Sequence, residues 1–172
     1  MEVMQAIADR RSIRKFEDRP VSRELIEAVL DAAIKAPSAK NSQPWRFIVL
    51  QGAVKLGLVD VMERRVGVIK EAGYRTGSAE SSARIMRQAP VLILVFDPEW
   101  TPDKPGDGSG RLMDLVYGQS IGAAIQNMLL AATDLGLGTL WICDVLFAEK
   151  EIAQFAGLTG GLVAAVSKIG RA

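Results

Sequence analysis

The apolar positions of this chain recur at a spacing that switches repeatedly between helical and strand-like periods. From Glu2 to about Arg10, the residues Val3, Met4, Ile7 and Ala8 fall at three- and four-residue intervals, the stripe of a short amphipathic helix. A second stripe, formed by Leu25, Ile26, Val29, Leu30 and Ala33, starts after Ser22, a residue suited to capping, and is stopped by Pro37. The segment from Pro37 to Pro44 is small and polar, and each residue before its prolines is pushed toward extended backbone, which predicts a defined loop. Trp45 to Leu50 then reads as a strand. Helices are predicted from about Val54 to Val68, with Glu63-Arg64-Arg65 exposed, and from about Glu80 to Gln88, with a flexible link at Tyr74 to Ser78.

Val91 to Phe96 is an unbroken apolar run introduced by Pro90, as expected of a strand covered on both faces. The loop from Asp97 to Gly110 is rich in proline and glycine and reads either as a mobile lid or as a solvated connection. The longest element, Arg111 to Asp134, is apolar on nearly every face, with Leu115, Ile121, Ala124, Ile125, Met128 and Leu129 among its residues, and this predicts a buried helix. Its charged and amide side chains argue against a membrane span, and Gly118, Gly122, Ala123 and Ala124 would let a second subunit approach closely. Gly136-Leu137-Gly138 ends it, Thr139 to Ile142 returns as a strand, and a short helix near Ala148 to Ala156 precedes a last strand near Leu162 to Val166. No repeat or internal boundary interrupts the chain, so residues 1–172 are read as a single domain. Four strands among about six helices fit either a parallel α/β sheet or an α+β arrangement.

Composition narrows the chemistry more than the architecture. With 49% hydrophobic and 24% charged residues the chain is expected to be soluble and globular, and a formal charge of +1 offers nucleic acid no general attraction. A single cysteine, Cys143, excludes an internal disulfide framework, and with no charged-then-apolar leader after Met1 a cytoplasmic location is expected. The absence of histidine excludes a Ser-His-Asp triad, a Cys-His pair and an imidazole metal site. There is no Walker A sequence and no acidic cluster for a metal, so redox or group-transfer chemistry would need a cofactor.

Two segments carry candidate chemistry. Arg10, Arg11, Ser12 and Arg14 gather three guanidinium groups and a hydroxyl, which suits a phosphate, although taken alone a solvated basic helix end is the simpler account. Pro37-Ser38-Ala39-Lys40-Asn41-Ser42-Gln43-Pro44-Trp45 presents amides and hydroxyls able to read a planar heterocycle, and is also an ordinary polar turn by composition. The run Gly106-Asp107-Gly108-Ser109-Gly110 reads as a flexible tether, because it does not issue from a strand as a phosphate loop does. Cys143 has no adjacent base and reads as a packing residue.

In their order and spacing, an R-R-S-I-R-K-F segment after the first helix, a P-S-A-K-N-S-Q-P-W-R-F loop before a strand, and G-L-G-T-L-W-I after the long helix resemble the nitroreductase family. The resemblance runs from about Met1 to Val166 and implies an α+β fold of three layers, α/β/α, with a mainly antiparallel sheet. It further implies an intertwined homodimer with FMN at each end of the interface and the long helix at its centre. Carried over by position, Arg10, Arg11 and Ser12 would hold the FMN phosphate and Arg14 would approach the pyrimidine edge of the ring. Pro37, Ser38, Ala39, Asn41 and Gln43 would reach the same flavin from the other subunit, and Trp141, Ile142, Cys143 and Asp144 would meet its dimethylbenzene and N5 region. Cys143 and Asp144 stand where many members carry an acidic residue and a glycine, and Ala39 stands where a hydroxyl is common. Members continue into a tail that brings a further basic residue to the phosphate; here the chain ends at Lys168-Ile169-Gly170-Arg171-Ala172, with Lys168 or Arg171 as the substitute. The implied reaction is ping-pong hydride transfer from NADH or NADPH through FMN to nitroaromatics, quinones or similar acceptors, with no catalytic side chain and no metal. A reductase or dehydrogenase of one particular metabolite, or a non-catalytic flavin-binding protein, are the alternatives.

Overall fold

The computed structural model describes residues 1–99, 109–158 and 160–168. The predicted lid or connection at 97–110, with its glycine run, therefore lies mostly outside the described residues, as does Arg171. In chain order the elements are α1 (Val3–Asp9), α2 (Arg23–Ala33), β1 (Arg46–Gln51), α3 (Gly52–Glu71), α4 (Ala79–Gln88), β2 (Val91–Asp97), α5 (Ser109–Asp134), β3 (Thr139–Ile142), α6 (Glu149–Ala156) and β4 (Gly161–Lys168), with 3-10 turns at Ala39–Asn41 and Asp144–Ala148. Ser22 caps α2 as expected, its hydroxyl accepting from the Leu25 N–H at 3.4 Å. At the end of α5, Gly136 takes a φ of 70°. Its N–H donates to Thr133 O at 3.0 Å and that of Leu137 to Ala132 O at 2.7 Å, the paired bonds of a Schellman cap. The link between α3 and α4 is a turn with local contacts of its own. Thr76 is buried there, and the Ala79 N–H donates back to its carbonyl at 3.0 Å.

The strands run in the order β1-β2-β4-β3, and every neighbouring pair is antiparallel. This decides between the two arrangements that periodicity left open, in favour of α+β. β2 is the apolar run Val91 to Phe96, and its alternate residues feed two separate cores. Val91, Ile93 and Val95 pack with Ala164 against α2 and α5, whereas Leu92 and Leu94 pack with Leu162 against α3, α4 and α6. The result is three layers, with helices covering both faces of the sheet.

One expectation needs correction at α5. Ile121, Ala124, Ile125, Met128, Leu129 and Ala132 are buried, but Leu112 and Leu115 nearer its start are each 60% exposed. Nothing in the described residues covers that part of the helix, so uniform apolarity here does not mean burial within one chain. The exposed Met1, Val3, Met4 and Ile7 of the N-terminal segment, which packs along the same helix, leave a second apolar strip in solvent. Among the described residues no helix is long and apolar enough to cross a membrane.

Candidate functional site

The basic segment after α1 is tied to the far end of the chain. Ser12 pairs with Thr139 in an isolated parallel bridge, and the Ile13 N–H donates to Thr139 O at 2.9 Å. The Ile13 side chain lies directly over Gly138, where a Cβ would meet its Cγ1 at 2.9 Å. Gly136 supplies the helix cap, while Gly138 is needed because Ile13 leaves no room for a side chain. Arg11 is turned back on α1, its Nη1 donating to Ala8 O at 2.6 Å and Arg10 O at 2.9 Å, a favourable place for a cation at the helix C-terminus. Its other guanidinium donors stay available. Arg14 Nη1 donates to Ser12 O at 3.3 Å.

Arg14 opens onto a cavity of about 420 Å³ lined by Ser78, Ser81, Ser82 and Ile85 of the α4 region and by residues 140–144 of β3 and the turn after it. The structure thus brings Arg14 together with Trp141, Ile142, Cys143 and Asp144. Trp141 is 38% exposed and lays its ring toward α5, 3.6 Å from where a Cβ on Gly122 would stand. Ile142 is buried in the core beneath the cavity. Asp144 accepts at one oxygen, Oδ2, from the Ser78 hydroxyl at 2.7 Å and the Ser82 hydroxyl at 2.5 Å. Partial burial, and then the adjacent Asp144 charge, push the Cys143 thiol up from its ordinary value, so it is a poor thiolate at neutral pH. The three serines are site residues that sequence reasoning missed. The four-residue spacing of Ser78 and Ser82 was the available signal, but small hydroxyl residues at a helix start have a sufficient local explanation. A larger hollow of about 520 Å³ between α3 and α6 contains none of the predicted site residues.

Pro37, Ser38, Ala39, Asn41 and Gln43 do not line the cavity that holds Arg14. They form a stiff loop on α5, where the Ala39 N–H donates to Ser120 Oγ at 3.3 Å and that hydroxyl donates to Val116 O at 3.0 Å. Within the loop the Gln43 N–H donates to Ser38 Oγ at 3.0 Å and Gln43 Nε2 to Asn41 Oδ1 at 3.2 Å. Lys40, Asn41 and Gln43 have φ of 53°, 55° and 47°, left-handed values that are uncommon outside glycine and that concentrate at functional loops. Buried Trp45 anchors the loop's end. Among the described residues no group of three or more acidic or cysteine side chains could hold a metal ion.

A model of the Nitroreductase family matches residues 7–170. A Methanothermobacter thermautotrophicus protein assigned as an NADH dehydrogenase/NAD(P)H nitroreductase is 36% identical over 141 residues, 82% of this chain and 60% of that protein. A 5,6-dimethylbenzimidazole synthase of Rhodospirillum rubrum is 31% identical over 137 residues, 77% of this chain and 64% of that protein. The matched part of the chain therefore spans under two thirds of the length of both these curated relatives. A crystal structure of an assigned nitroreductase from Desulfovibrio desulfuricans in complex with FMN superposes with a TM-score of 0.76 at 31% identity, covering 99% of this chain and 86% of that one.

Proposed function

We propose, from the premise that this chain belongs to the nitroreductase family, that it is an FMN-dependent NAD(P)H oxidoreductase whose flavin ring lies in the cavity between Arg14 and the Trp141–Asp144 turn. One observation carries the reading: the Ile13–Thr139 hydrogen bond holds the basic segment beside β3, so that Arg14 shares one cavity with the turn after β3, distant in sequence. The residues fit the group. A volume of about 420 Å³ falls within the usual range of ligand pockets, and a guanidinium at one side with backbone and hydroxyl groups at the other suits a planar ring with a polar edge. Bound FMN would supply hydride chemistry that no side chain of this histidine-free protein can perform.

In this reading Arg14 places positive charge beside the pyrimidine edge and favours the anionic reduced ring. Arg10, Arg11 and Ser12 hold the phosphate, Arg11 through donors that its helix contacts leave over. The Trp141 indole and the Cys143–Asp144 backbone would hold the dimethylbenzene and N5 end and exclude water there. The loop of Pro37, Ser38, Ala39, Asn41 and Gln43 belongs to the flavin of the other subunit in a homodimer. That assignment is supported by its absence from the cavity of its own chain and by the exposed apolar strips on α1 and α5. The acceptors are nitroaromatics, quinones or similar small oxidants.

A second reading, a reductase or dehydrogenase dedicated to one metabolite, is favoured by the resemblance to the 5,6-dimethylbenzimidazole synthase. Steady-state oxidation of NADH and NADPH with a quinone present separates the two: brisk turnover supports the general reductase, and FMN binding without turnover supports the dedicated one. A protein that purifies colourless, and whose melting temperature does not respond to added FMN, contradicts both.

A further inference from the structure

Asp144 lines the cavity proposed for the flavin. A carboxylate beside the N5 end would repel the anionic reduced ring and oppose Arg14 in the same cavity. Its surroundings answer that difficulty. Two hydroxyls from consecutive turns of one helix, Ser78 and Ser82, converge on the same oxygen, at 2.7 and 2.5 Å, and hold the carboxylate against the start of α4. Ser82 is buried and therefore has its hydroxyl committed to this contact. The positive end of the α4 dipole lies at the same place and favours a carboxylate there.

The clamp also acts on the backbone. Asp144 opens the 3-10 turn Asp144–Ala148, and Cys143 is the residue before it, so restraining the Asp144 side chain restrains the junction of β3 and that turn. Below, Ile142 and Val145 are fixed in the core. Between those two anchors the Cys143 carbonyl accepts from the Leu146 N–H at 3.0 Å, and the serine contacts set the position of the Asp144 side chain. A recognition surface held within a fraction of an ångström by buried contacts binds better than one left to find its place.

We propose that Ser78 and Ser82 are positioning residues for the flavin site: they draw the Asp144 charge back toward α4 and fix the Cys143–Asp144 backbone that the ring meets. This rests on the flavin reading of the cavity. It goes beyond that reading in assigning a positioning role to two serines of the cavity wall, and in explaining how Asp144 is tolerated there.

The single cysteine makes the idea testable without flavin, because Cys143 is the only thiol that can react. Cys143 is exposed, and its thiol is pushed up by partial desolvation and then by the Asp144 charge, so its reactivity reports where the turn and that charge sit. In the FMN-free protein, Ser78→Ala/Ser82→Ala should leave the circular dichroism spectrum unchanged and change the rate of Cys143 alkylation at pH 8 at least threefold, whereas Asp144→Asn, which removes the charge, should be faster than wild type. Ser82→Thr, which keeps a hydroxyl, should return the rate toward wild type. With FMN added, the double alanine variant should bind about tenfold more weakly, in line with the sensitivity of ligand sites to loss of their supporting contacts. Its bound flavin should also show a shifted midpoint potential, which a loss of stability alone would not produce.

If the double variant is folded and matches wild type in alkylation rate, FMN affinity and potential, the positioning role is wrong. If the alkylation rates change as stated but wild-type protein does not bind FMN, the flavin reading fails and the proposal fails with it. The two failures are told apart by the flavin-free arm. If the double variant is unfolded, the single Ser82→Ala and the Ser82→Thr variants decide by the same criteria.

Discussion

Gly138→Ala provides a test in which two physical effects predict opposite signs. Gly138 is not among the glycines with positive φ, so an alanine would be free of backbone strain there. On that ground alone the substitution should stabilise by about 0.4–1 kcal/mol, through the reduced entropy of the unfolded chain. The new methyl group, however, would stand 2.9 Å from Cγ1 and 3.1 Å from both Cβ and Cγ2 of Ile13. A β-branched side chain has little rotamer freedom with which to yield, and the Ile13 N–H is held to Thr139 O at 2.9 Å on the same segment. Overpacking of this kind costs about 1–3 kcal/mol, and a strained or broken hydrogen bond adds about 1 kcal/mol. The steric effect should win, with a net loss of about 1–3 kcal/mol and a fall in melting temperature of about 2–10 °C for a chain of this size. Thermal melts of wild type, Gly138→Ala, Ile13→Ala and the double variant measure it directly. Because Ile13→Ala removes Cγ1 and Cγ2, including the nearest colliding atom, and leaves only the Cβ, the double variant should recover at least about 1 kcal/mol of the summed single costs. Additive costs, or a Gly138→Ala protein that melts higher than wild type, would refute the claim that Ile13 packing is what ties the basic segment to β3.

Arg10→Ala and Asn41→Ala should each weaken FMN binding about tenfold, read by fluorescence titration, since each removes charge-assisted or amide contacts to the ligand; unchanged affinity in both would sink the site assignment. Ser120→Ala orphans the Ala39 N–H, and should cost about 1 kcal/mol and speed tryptic cleavage at exposed Lys40. Lys55 is buried with its ammonium donating to Arg87 O at 2.9 Å and to Ala89 O, and Lys55→Met should destabilise by about 1–2 kcal/mol at pH 7 by stranding both carbonyls. Burial, and then the Arg87 charge, lower the Lys55 pKa below its ordinary 10.5, with Asp18 opposing them. The folded state therefore holds this proton less tightly than the unfolded state, and stability from this group rises with pH as the solution approaches 10.5. Melting wild type and Lys55→Met at pH 7 and pH 10 should show the gap widening in favour of wild type at the higher pH.

The six helices and four strands were legible because their apolar periods are unambiguous. Leu58, Val59, Met62 and Val66 of α3, the alternating burial around β2, and Gly136 after α5 each say the same thing locally and globally. Strand direction was not legible, since a run such as Val91 to Phe96 declares that both its faces are covered but not which strands flank it. The same limit hid the serines. Nothing near Ser78 or Ser82 in sequence indicates Asp144, and only the packing of α4 against the turn after β3 joins them. Gly138 shows a subtler case, in which a plausible local reason, a helix cap, stood in for the tertiary one.

The division of the predicted site into two groups has a thermodynamic consequence. Arg14 and the Trp141–Asp144 turn share a cavity, and the loop from Pro37 to Gln43 sits on α5 outside it. In the proposed arrangement, where both groups surround one flavin, a second copy must supply the loop, and α5 with its exposed Leu112 and Leu115 is the surface on which the copies would meet. Flavin affinity and subunit association are then linked: whatever FMN gains in the dimer, the dimer gains from FMN by the same factor. Titrations at protein concentrations above and below the dimer dissociation constant should give tighter FMN binding in the concentrated samples, and sedimentation should show FMN driving association. A monomer that binds FMN as tightly as the dimer would place the Pro37–Gln43 loop outside the flavin site altogether, and its three left-handed residues would then need another explanation.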